Sequence, residues 1–162
     1  ICAAKQIIQS VEKSERIIIH GDFDADGICA SSLLWEFLYR DLSTFLSTKI
    51  DVIPYIPSRI DQGYGLTENS LDDVLSLGGQ LVISVDCGVR DEELIKRYME
   101  KNLKFVITDH HQPPENLSDS LPYPLVHQLY PKHKLEQKEI CGTTVVFLLI
   151  QQIPHLVNRV DS

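Results

Sequence analysis

Long apolar runs and paired cysteines are both missing from this sequence. No apolar stretch approaches the ~20 residues that a helix needs to span a bilayer, so a membrane-spanning segment is excluded. The four cysteines form no Cys-x-x-Cys pair, which excludes the usual spacing of a structural zinc site. They lie at positions 2, 29, 87 and 141, and three of these positions are in apolar or glycine-flanked segments that favour burial. We therefore expect a reducing, cytoplasmic setting.

Positive charge is scarce as well. Lys and Arg total 15 against 23 Asp and Glu, which gives a formal net charge of -8. This balance argues against a general nucleic-acid binder, because phosphate contacts need basic side chains. The objection weakens if the acids hold divalent cations, since bound cations reverse the local sign of the charge.

The N-terminus, which reads ICAAK, has neither an initiator Met nor the layout of a signal peptide. We therefore expect this chain to be part of a longer protein. Its 162 residues, of which 43% are hydrophobic, are enough for one globular domain with a real core.

Short β-branched runs alternate with amphipathic helical stretches along most of the chain. The predicted strands are Ile17–His20, Ile50–Tyr55, Leu81–Asp86, Phe105–Thr108 and, after a loop with four prolines, Pro124–Tyr130. The predicted helices are Ala3–Lys13, Ile28–Leu42, Glu68–Leu77, Glu92–Asn102 and Thr143–Ile153. This alternation predicts an α/β fold in which a mostly parallel sheet has helices on both faces.

Three aspartates, Asp22, Asp24 and Asp26, follow the first predicted strand at alternating positions. Carboxylates this close repel one another unless a cation lies among them. The spacing is that of an EF-hand calcium loop, but that loop needs a bidentate acid at its twelfth position, where this sequence has Leu33. Capping of the helix that begins near Ile28 would need only one of the three acids. The cluster therefore predicts a metal site of another type.

Acidic residues also stand at the ends of later strands. Asp86 ends the third predicted strand, and Asp109 follows the fourth. Ligands of an open parallel sheet bind beyond the carboxyl ends of its strands, so we expect these acids and the Asp22 cluster to meet at one edge. A carboxylate such as Asp86, placed between two groups of ligands, can bridge two ions roughly 3.5 to 4 Å apart.

Histidines follow Asp109 directly. His110 and His111 are adjacent, so we expect only one of them to bind an ion, which leaves the other to contact a substrate oxygen. Mixed carboxylate and imidazole ligands favour Mn over Mg or Ca. His20, at the end of the first strand, is either a further ligand or a neutral histidine of the strand.

Arg59 and Tyr64 are candidate substrate contacts because of the metal site predicted beside them. Their segment, with Gly63 and Gly65, by itself predicts an ordinary surface loop. Next to a metal phosphoesterase site, Arg59 can clamp a phosphate with two hydrogen bonds. Tyr64 can stack on the substrate or hydrogen-bond to it.

At these residues the chain resembles the DHH phosphoesterase superfamily, and within it the RecJ family of single-stranded-DNA exonucleases. The motifs that carry the resemblance are His20–Gly27, Pro57–Arg59 with Gly63–Leu66, Val85–Gly88, Thr108–His111 and Cys141–Phe147. The resemblance implies a hydrolase that uses two divalent cations, Mn preferred or Mg, to release mononucleotides from the 5′ end of single-stranded DNA in recombination and repair. It also implies a single-strand-binding protein and a helicase as partners, and no membrane.

The resemblance further implies roles for individual residues. Asp24 and Asp26 would each hold one ion, with Asp22 near the metal. Asp86 would bridge the two ions, and His110 would ligate the second.

The remaining implied roles concern the substrate and the histidines. His111 would face the scissile phosphate, while Asp109 would orient both histidines. His20 stands where other DHH enzymes have a ligand that RecJ proteins do not need.

The sequence departs from the family pattern at its C-terminal end. The family's catalytic domain has one more metal-binding Asp beyond the helix that ends near Ile153, and neither Asp119 nor Asp161 lies in such a motif. We therefore expect residues 1–162 to be a DHH-type catalytic domain that is incomplete at its C-terminal end and lacks the second, DHH-associated domain.

Two alternatives remain within the same fold. One is a phosphodiesterase for short oligoribonucleotides or cyclic dinucleotides, and the other is a non-catalytic scaffold of the replication machinery. The acids and both histidines are present, which favours an enzyme.

Overall fold

The strands of this protein form one parallel sheet. The computed structural model describes residues 1–58, 63–118, 120–130 and 139–160, with the backbone alone for residues 158–160. Within these ranges the strands are β1 (Ile17–Gly21), β2 (Val52–Tyr55), β3 (Leu81–Val85), β4 (Lys104–Thr108) and β5 (Leu125–Val126). Their order across the sheet is β2-β1-β3-β4-β5, and all four pairings are parallel.

Helices connect and cover these strands. They are α1 (Cys2–Glu12), α2 (Ala25–Glu36), α3 (Ser43–Phe45), α4 (Glu68–Ser76), α5 (Glu92–Met99) and α6 (Gly142–Val160), and a π-helical segment, Phe37–Leu42, joins α2 to α3. Within the described residues, none of these helices has the length and apolar character needed to cross a membrane.

Two hydrophobic cores lie on opposite faces of the sheet. Ile17 and Ile19 of β1 point into the core that α1, α2 and α6 cover. Ile18, between them, points into the core that α4 and α5 cover. Successive side chains of a strand point to opposite faces, so an uninterrupted isoleucine run is the pattern of a strand buried on both sides. The predicted α/β fold with helices on both faces is confirmed.

The strand order places the carboxyl ends of β1 and β3 side by side. From β1 the chain moves to β2 on one side of the sheet and then crosses to β3 on the other side. Such a reversal opens a crevice beyond the carboxyl ends of the two central strands, where α/β proteins bind their ligands. The loops that follow β1 and β3 carry Asp22, Asp24 and Asp86, and Asp26 lies in the first turn of α2.

Several predicted boundaries were wrong. The fifth strand is only two residues long, because His127 and Gln128 leave the sheet and hydrogen-bond to the loop after β4. Helix α6 continues to Val160 with Pro154 inside it, and α2 begins at Ala25, directly after its cap.

The expected burial of three cysteines was also wrong. Cys87 is buried, whereas Cys2, Cys29 and Cys141 are exposed. Cys29 follows the exposed Ile28 on the outer side of α2, so an apolar neighbour in sequence did not indicate a place in the core.

Candidate metal centre

Asp86 occupies a tight turn at the carboxyl end of β3. Its φ angle is 63°, in the left-handed region that Asp tolerates better than most residues. Two neighbouring strands hold this turn: Asp86 N donates to Thr108 O at 3.0 Å, and the Thr108 hydroxyl donates to Ser84 O at 2.8 Å. The Ser84 hydroxyl donates in turn to Cys87 O at 2.8 Å.

The carboxylate of Asp86 is buried without a hydrogen bond. The residue is 1% exposed, and neither carboxylate oxygen has a hydrogen-bond partner among the described residues. The ring of His110 lies beside it, with Nε2 3.1 Å from Asp86 Oδ1. Burial and the carboxylates of Asp26 and Asp24 raise the pKa of Asp86 to about 7. A buried acid among other acids is stable in its charged form only if a cation compensates it.

Asp86 belongs to two groups of side chains that could hold a metal ion. One group is Asp86, His110 and His111, and the other is Asp22, Asp24 and Asp86. Within each group the candidate ligand atoms lie within 4.8 Å of one another. Oxygen and imidazole ligands together suit divalent ions such as Mn, so the residues present fit the expected cations. Asp86 is the residue that the two groups share.

Asp24 and Asp22 are fixed by the start of α2. Asp24 is the N-cap of this helix and accepts a hydrogen bond from Gly27 N at 2.9 Å, so the capping role considered from the sequence applies to this one acid. Asp22 is 4% exposed, and its Oδ1 accepts from Phe23 N at 2.8 Å. A side chain at Gly27 would place its Cβ 2.6 Å from Asp22 O, so only glycine allows the helix to begin this close to the acids.

Asp26 forms its hydrogen bonds with the first turn of α6. Its carboxylate accepts from Gly142 N at 2.7 Å, from Thr143 N at 2.9 Å and from the Thr143 hydroxyl at 2.6 Å. Burial raises the pKa of Asp26, but these hydrogen bonds outweigh burial and leave the pKa below its usual value. Asp26 Oδ2 remains 3.7 Å from His110 Nε2. The predicted ligand role of Asp26 stays a prediction.

Gly142 is the second close contact between α6 and the site. A Cβ on Gly142 would lie 2.4 Å from Asp86 Oδ1, so the helix approaches this carboxylate with no room for a side chain. The motif Cys141–Phe147 therefore has a place at the site, which its sequence alone did not indicate.

Asp109 fixes both the backbone and one ring of the histidine pair. Its Oδ1 accepts from His110 N at 2.7 Å, from His111 N at 3.0 Å and from His111 Nδ1 at 2.8 Å. Its Oδ2 accepts from Val89 N at 2.9 Å. A carboxylate this close to His111 Nδ1 holds the proton on that nitrogen, so Nε2 is the nitrogen of His111 that is left for a ligand.

Sequence reasoning missed two residues that support the histidines from the other side. His127 Nε2 lies 2.7 Å from His111 O, and Gln128 Nε2 donates to His110 O at 2.6 Å. Leu129 N donates to His127 Nδ1 at 3.0 Å, so Nε2 carries the ring proton and donates it to the carbonyl. Both side chains are buried. Consecutive polar residues at the end of an apolar run were the signal that could have found them.

His20 has a different environment from the one a metal ligand needs. It is fully buried, with Nε2 3.0 Å from the Ser70 hydroxyl and Nδ1 3.9 Å from Cys87 Sγ. Burial lowers the pKa of His20 to about 4, so the ring is neutral. Of the two interpretations from the sequence, this geometry favours the neutral strand histidine.

Of the two candidate substrate contacts, Tyr64 lies beside the histidine pair. The Tyr64 hydroxyl lies 3.2 Å from His111 Nε2, and the two rings meet edge to face with centroids 5.9 Å apart. Burial and the carboxylates of Asp109 and Asp22 raise the pKa of Tyr64 above its usual value. Arg59 lies outside the described residues.

Comparison with known proteins identifies the family. Residues 16–161 match the model of the DHH family, N-terminal domain. The chain belongs to the DHH family. The single-stranded-DNA-specific exonuclease RecJ of Bacillus subtilis is 35% identical over 147 residues, which cover 91% of this chain and 18% of that protein.

Solved structures of the same kind match the fold. A crystal structure of exonuclease RecJ bound to manganese has a TM-score of 0.77 and 31% identity, and covers 96% of this chain and 37% of that one. The structure of RecJ in complex with Mn2+ from Thermus thermophilus has a TM-score of 0.71 and 28% identity, and covers 96% of this chain and 20% of that one. The chain thus spans about a fifth of the length of the curated relatives it matches.

Proposed function

We propose that this chain is the metal-binding catalytic part of a divalent-metal-dependent exonuclease that hydrolyses single-stranded DNA from its 5′ end. The observation that carries the proposal is the buried Asp86 carboxylate, which two groups of candidate metal ligands share. The chain is 35% identical to a single-stranded-DNA-specific exonuclease, which supports single-stranded DNA as the substrate. Similar RecJ structures were solved with manganese and with magnesium.

The proposed cofactor is a pair of divalent cations, with Mn preferred over Mg. The first would be held by Asp22, Asp24 and Asp86, and the second by Asp86 with His110. When bound, such ions polarise the phosphate, lower the pKa of a water molecule and stabilise the leaving oxygen. In this role Asp86 would contribute a carboxylate whose oxygens have no hydrogen-bond partner among the described residues.

The protein's own groups orient what surrounds the phosphate. Asp109 holds His111 with Nδ1 protonated, which leaves Nε2, beside the Tyr64 hydroxyl, for contact with the scissile phosphate. His127 and Gln128 tie the backbone of the histidine pair to the segment that follows β5. Fixed positions matter because misplacement of a catalytic group by 1 Å can cost about 10²-fold in rate.

The wider setting is proposed on the same basis. The protein would act in recombination and repair in the cytoplasm, together with a single-strand-binding protein and a helicase. The net charge of -8 would then be offset locally by the bound cations.

Digestion of defined oligonucleotides by the full-length protein tests the proposal. With Mn present, a 5′-phosphorylated single strand should be degraded to mononucleotides from its 5′ end, faster than the matching duplex, and Asp86→Ala should stop the reaction. Preferential cleavage of a two- to five-residue RNA or of a cyclic dinucleotide would instead assign the site to the alternative phosphodiesterases. Undiminished digestion by Asp86→Ala would sink the mechanism.

A further inference from the structure

Asp91 is at the N-cap position of α5, where a polar side chain often accepts a hydrogen bond from the first turn of the helix. The Asp91 side chain binds a different segment. It directly precedes α5, yet its side chain accepts no hydrogen bond from the first turn of that helix. Its Oδ2 accepts instead from Leu66 N at 3.1 Å, a residue 25 positions earlier in the chain. The carboxylate therefore ties the loop after β3 to the loop before α4.

The tied loop has a backbone that needs this kind of support. Gly63 and Gly65 have φ angles of 79° and 76°, which side chains rarely allow. A Cβ on Gly65 would lie 3.2 Å from Asp91 Oδ2, so the carboxylate packs directly against the loop. Leu66, 4% exposed, anchors the end of the loop in the core.

Between the two glycines the loop presents Tyr64 to the site. Tyr64 is 54% exposed, and its hydroxyl lies 3.2 Å from His111 Nε2. The contact between Asp91 and Leu66 lies two residues from Tyr64. It can therefore fix the position of the Tyr64 ring relative to the site from the loop side.

The position of Asp91 disfavours its charged form. Its side chain is partly buried, and burial raises the pKa of Asp91, with a further contribution from the charge of Asp109. A smaller polar residue would cap α5 without placing a second acid near Asp109. Asp91 forms the hydrogen bond to Leu66 N. A shorter side chain at this position would not reach that amide.

We propose that Asp91 is a positioning residue, which holds the Gly63–Leu66 loop so that Tyr64 meets the nucleotide beside the scissile phosphate. The inference rests on the proposed function. An aromatic ring held at a fixed place binds the bases of a single strand by stacking, regardless of sequence. Asp91 would thus act on substrate binding through Tyr64 and leave the metal ligands unchanged.

Three variants of the full-length protein separate this role from helix capping. Asp91→Ser places at this position a polar side chain that can cap a helix but is too short to reach Leu66 N. Asp91→Asn keeps an oxygen that accepts the hydrogen bond. Glu93→Ala, an exposed acid in the first turn of the same helix, is the matched control for charge.

Steady-state digestion of single-stranded DNA with Mn should show the difference in KM. We expect Asp91→Ser to raise KM about tenfold with kcat changed by less than about threefold. Asp91→Asn and Glu93→Ala should stay near the wild type. In a Tyr64→Ala background, Asp91→Ser should have little further effect, because the ring through which it acts is gone.

Hydrogen exchange of the Leu66 amide in metal-free protein gives a second readout that needs no activity. Asp91→Ser should speed this exchange and Asp91→Asn should restore protection. Equal KM in Asp91→Ser and wild type, or an equal effect of Asp91→Ser with and without Tyr64, would overturn the inference. A wild type that digests no single-stranded DNA overturns the proposed function and the substrate role of Asp91 with it, while the exchange data would still report whether the contact exists.

Discussion

The two ends of the sheet differ in how their acidic side chains are paired. At the amino end, Asp51 pairs with Arg16 at 2.9 Å and Glu15 pairs with Lys104. At the carboxyl end, the basic side chains described within 4.0 Å of Asp86 and Asp109 are histidines. One end neutralises its acids with permanent cations, whereas the other gathers acids and leaves a buried carboxylate without a hydrogen bond. The same strands thus carry a structural end and an end that needs a cation.

The largest effect should come from removing the shared acid. Asp86→Asn keeps the size of the side chain and tolerates the left-handed backbone, but it loses the bridging charge. We expect nuclease activity with Mn to fall by roughly 10³-fold or more, while the metal-free protein unfolds at the same or a higher temperature. The matched control is Asp51→Asn, the same change at the amino end, which should leave activity intact. Equal activity losses in the two variants would erase the distinction between the ends.

Support of the histidine loop should have the next largest effect. Gln128→Ala removes the hydrogen bond to the backbone oxygen of His110 and leaves the side chains of all proposed ligands in place. Groups that orient metal ligands typically matter by about 10- to 100-fold, so we expect a loss of that size in kcat/KM and weaker Mn binding by calorimetry. Gln151→Ala, an exposed glutamine of α6, controls for the substitution itself. Unchanged Mn affinity in Gln128→Ala would mean that the loop holds its place without this contact.

The pH dependence of stability should differ between metal-free and metal-loaded protein. Folding raises the pKa of Asp86 from 3.8 to about 7, so the native state binds more protons than the unfolded state across this window. Stability from this group therefore falls as pH rises from about 4 to 7. Chemical unfolding of metal-free protein should show this fall relative to Asp86→Asn, and saturating Mn should reverse it at pH 7. Parallel curves for the two metal-free proteins would contradict the buried, unpaired state of Asp86.

The smallest effect on stability and activity is expected from a substitution at the amino end of the sheet. Arg16→Gln removes the ion pair with Asp51 and the hydrogen bond to Leu77 O at 2.6 Å. Both are partly exposed, so we expect a loss of about 1 kcal/mol in the free energy of unfolding and no change in nuclease activity. Arg40→Gln, whose ion pairs lie on an exposed helix surface, should change stability less. An activity loss in Arg16→Gln that exceeds its stability loss would show that the ends are coupled.

Sequence reasoning found what depends on strand ends and missed what depends on loop contacts. The convergence of Asp22, Asp86 and Asp109 followed from their places after parallel strands, because those ends share one edge. Nothing in the sequence predicted that Asp91 would bind a loop instead of its own helix. Such contacts depend on how two loops meet, which no periodicity encodes.

Residues that support the site were missed for the same reason. His127 lay inside a predicted strand, and its role arose because the strand ends two residues after it begins. Gly142 was recognised as part of a motif, but its distance from Asp86 depends on the docking of α6. The main chemistry of a site can thus be inferred from residue types and strand ends, while its support requires three-dimensional packing.

The contact between Asp26 and α6 also bears on the order in which the protein folds. Asp26 and Gly142 are 116 residues apart in the chain, and contacts that close such long loops carry a high entropic cost early in folding. We expect the sheet to form before α6 docks, so the first aspartates would be in place well before the helix reaches Asp86. On a chain still emerging from the ribosome, the close contact between Gly142 and Asp86 would then form only after the loops that follow β1 and β3 are in place.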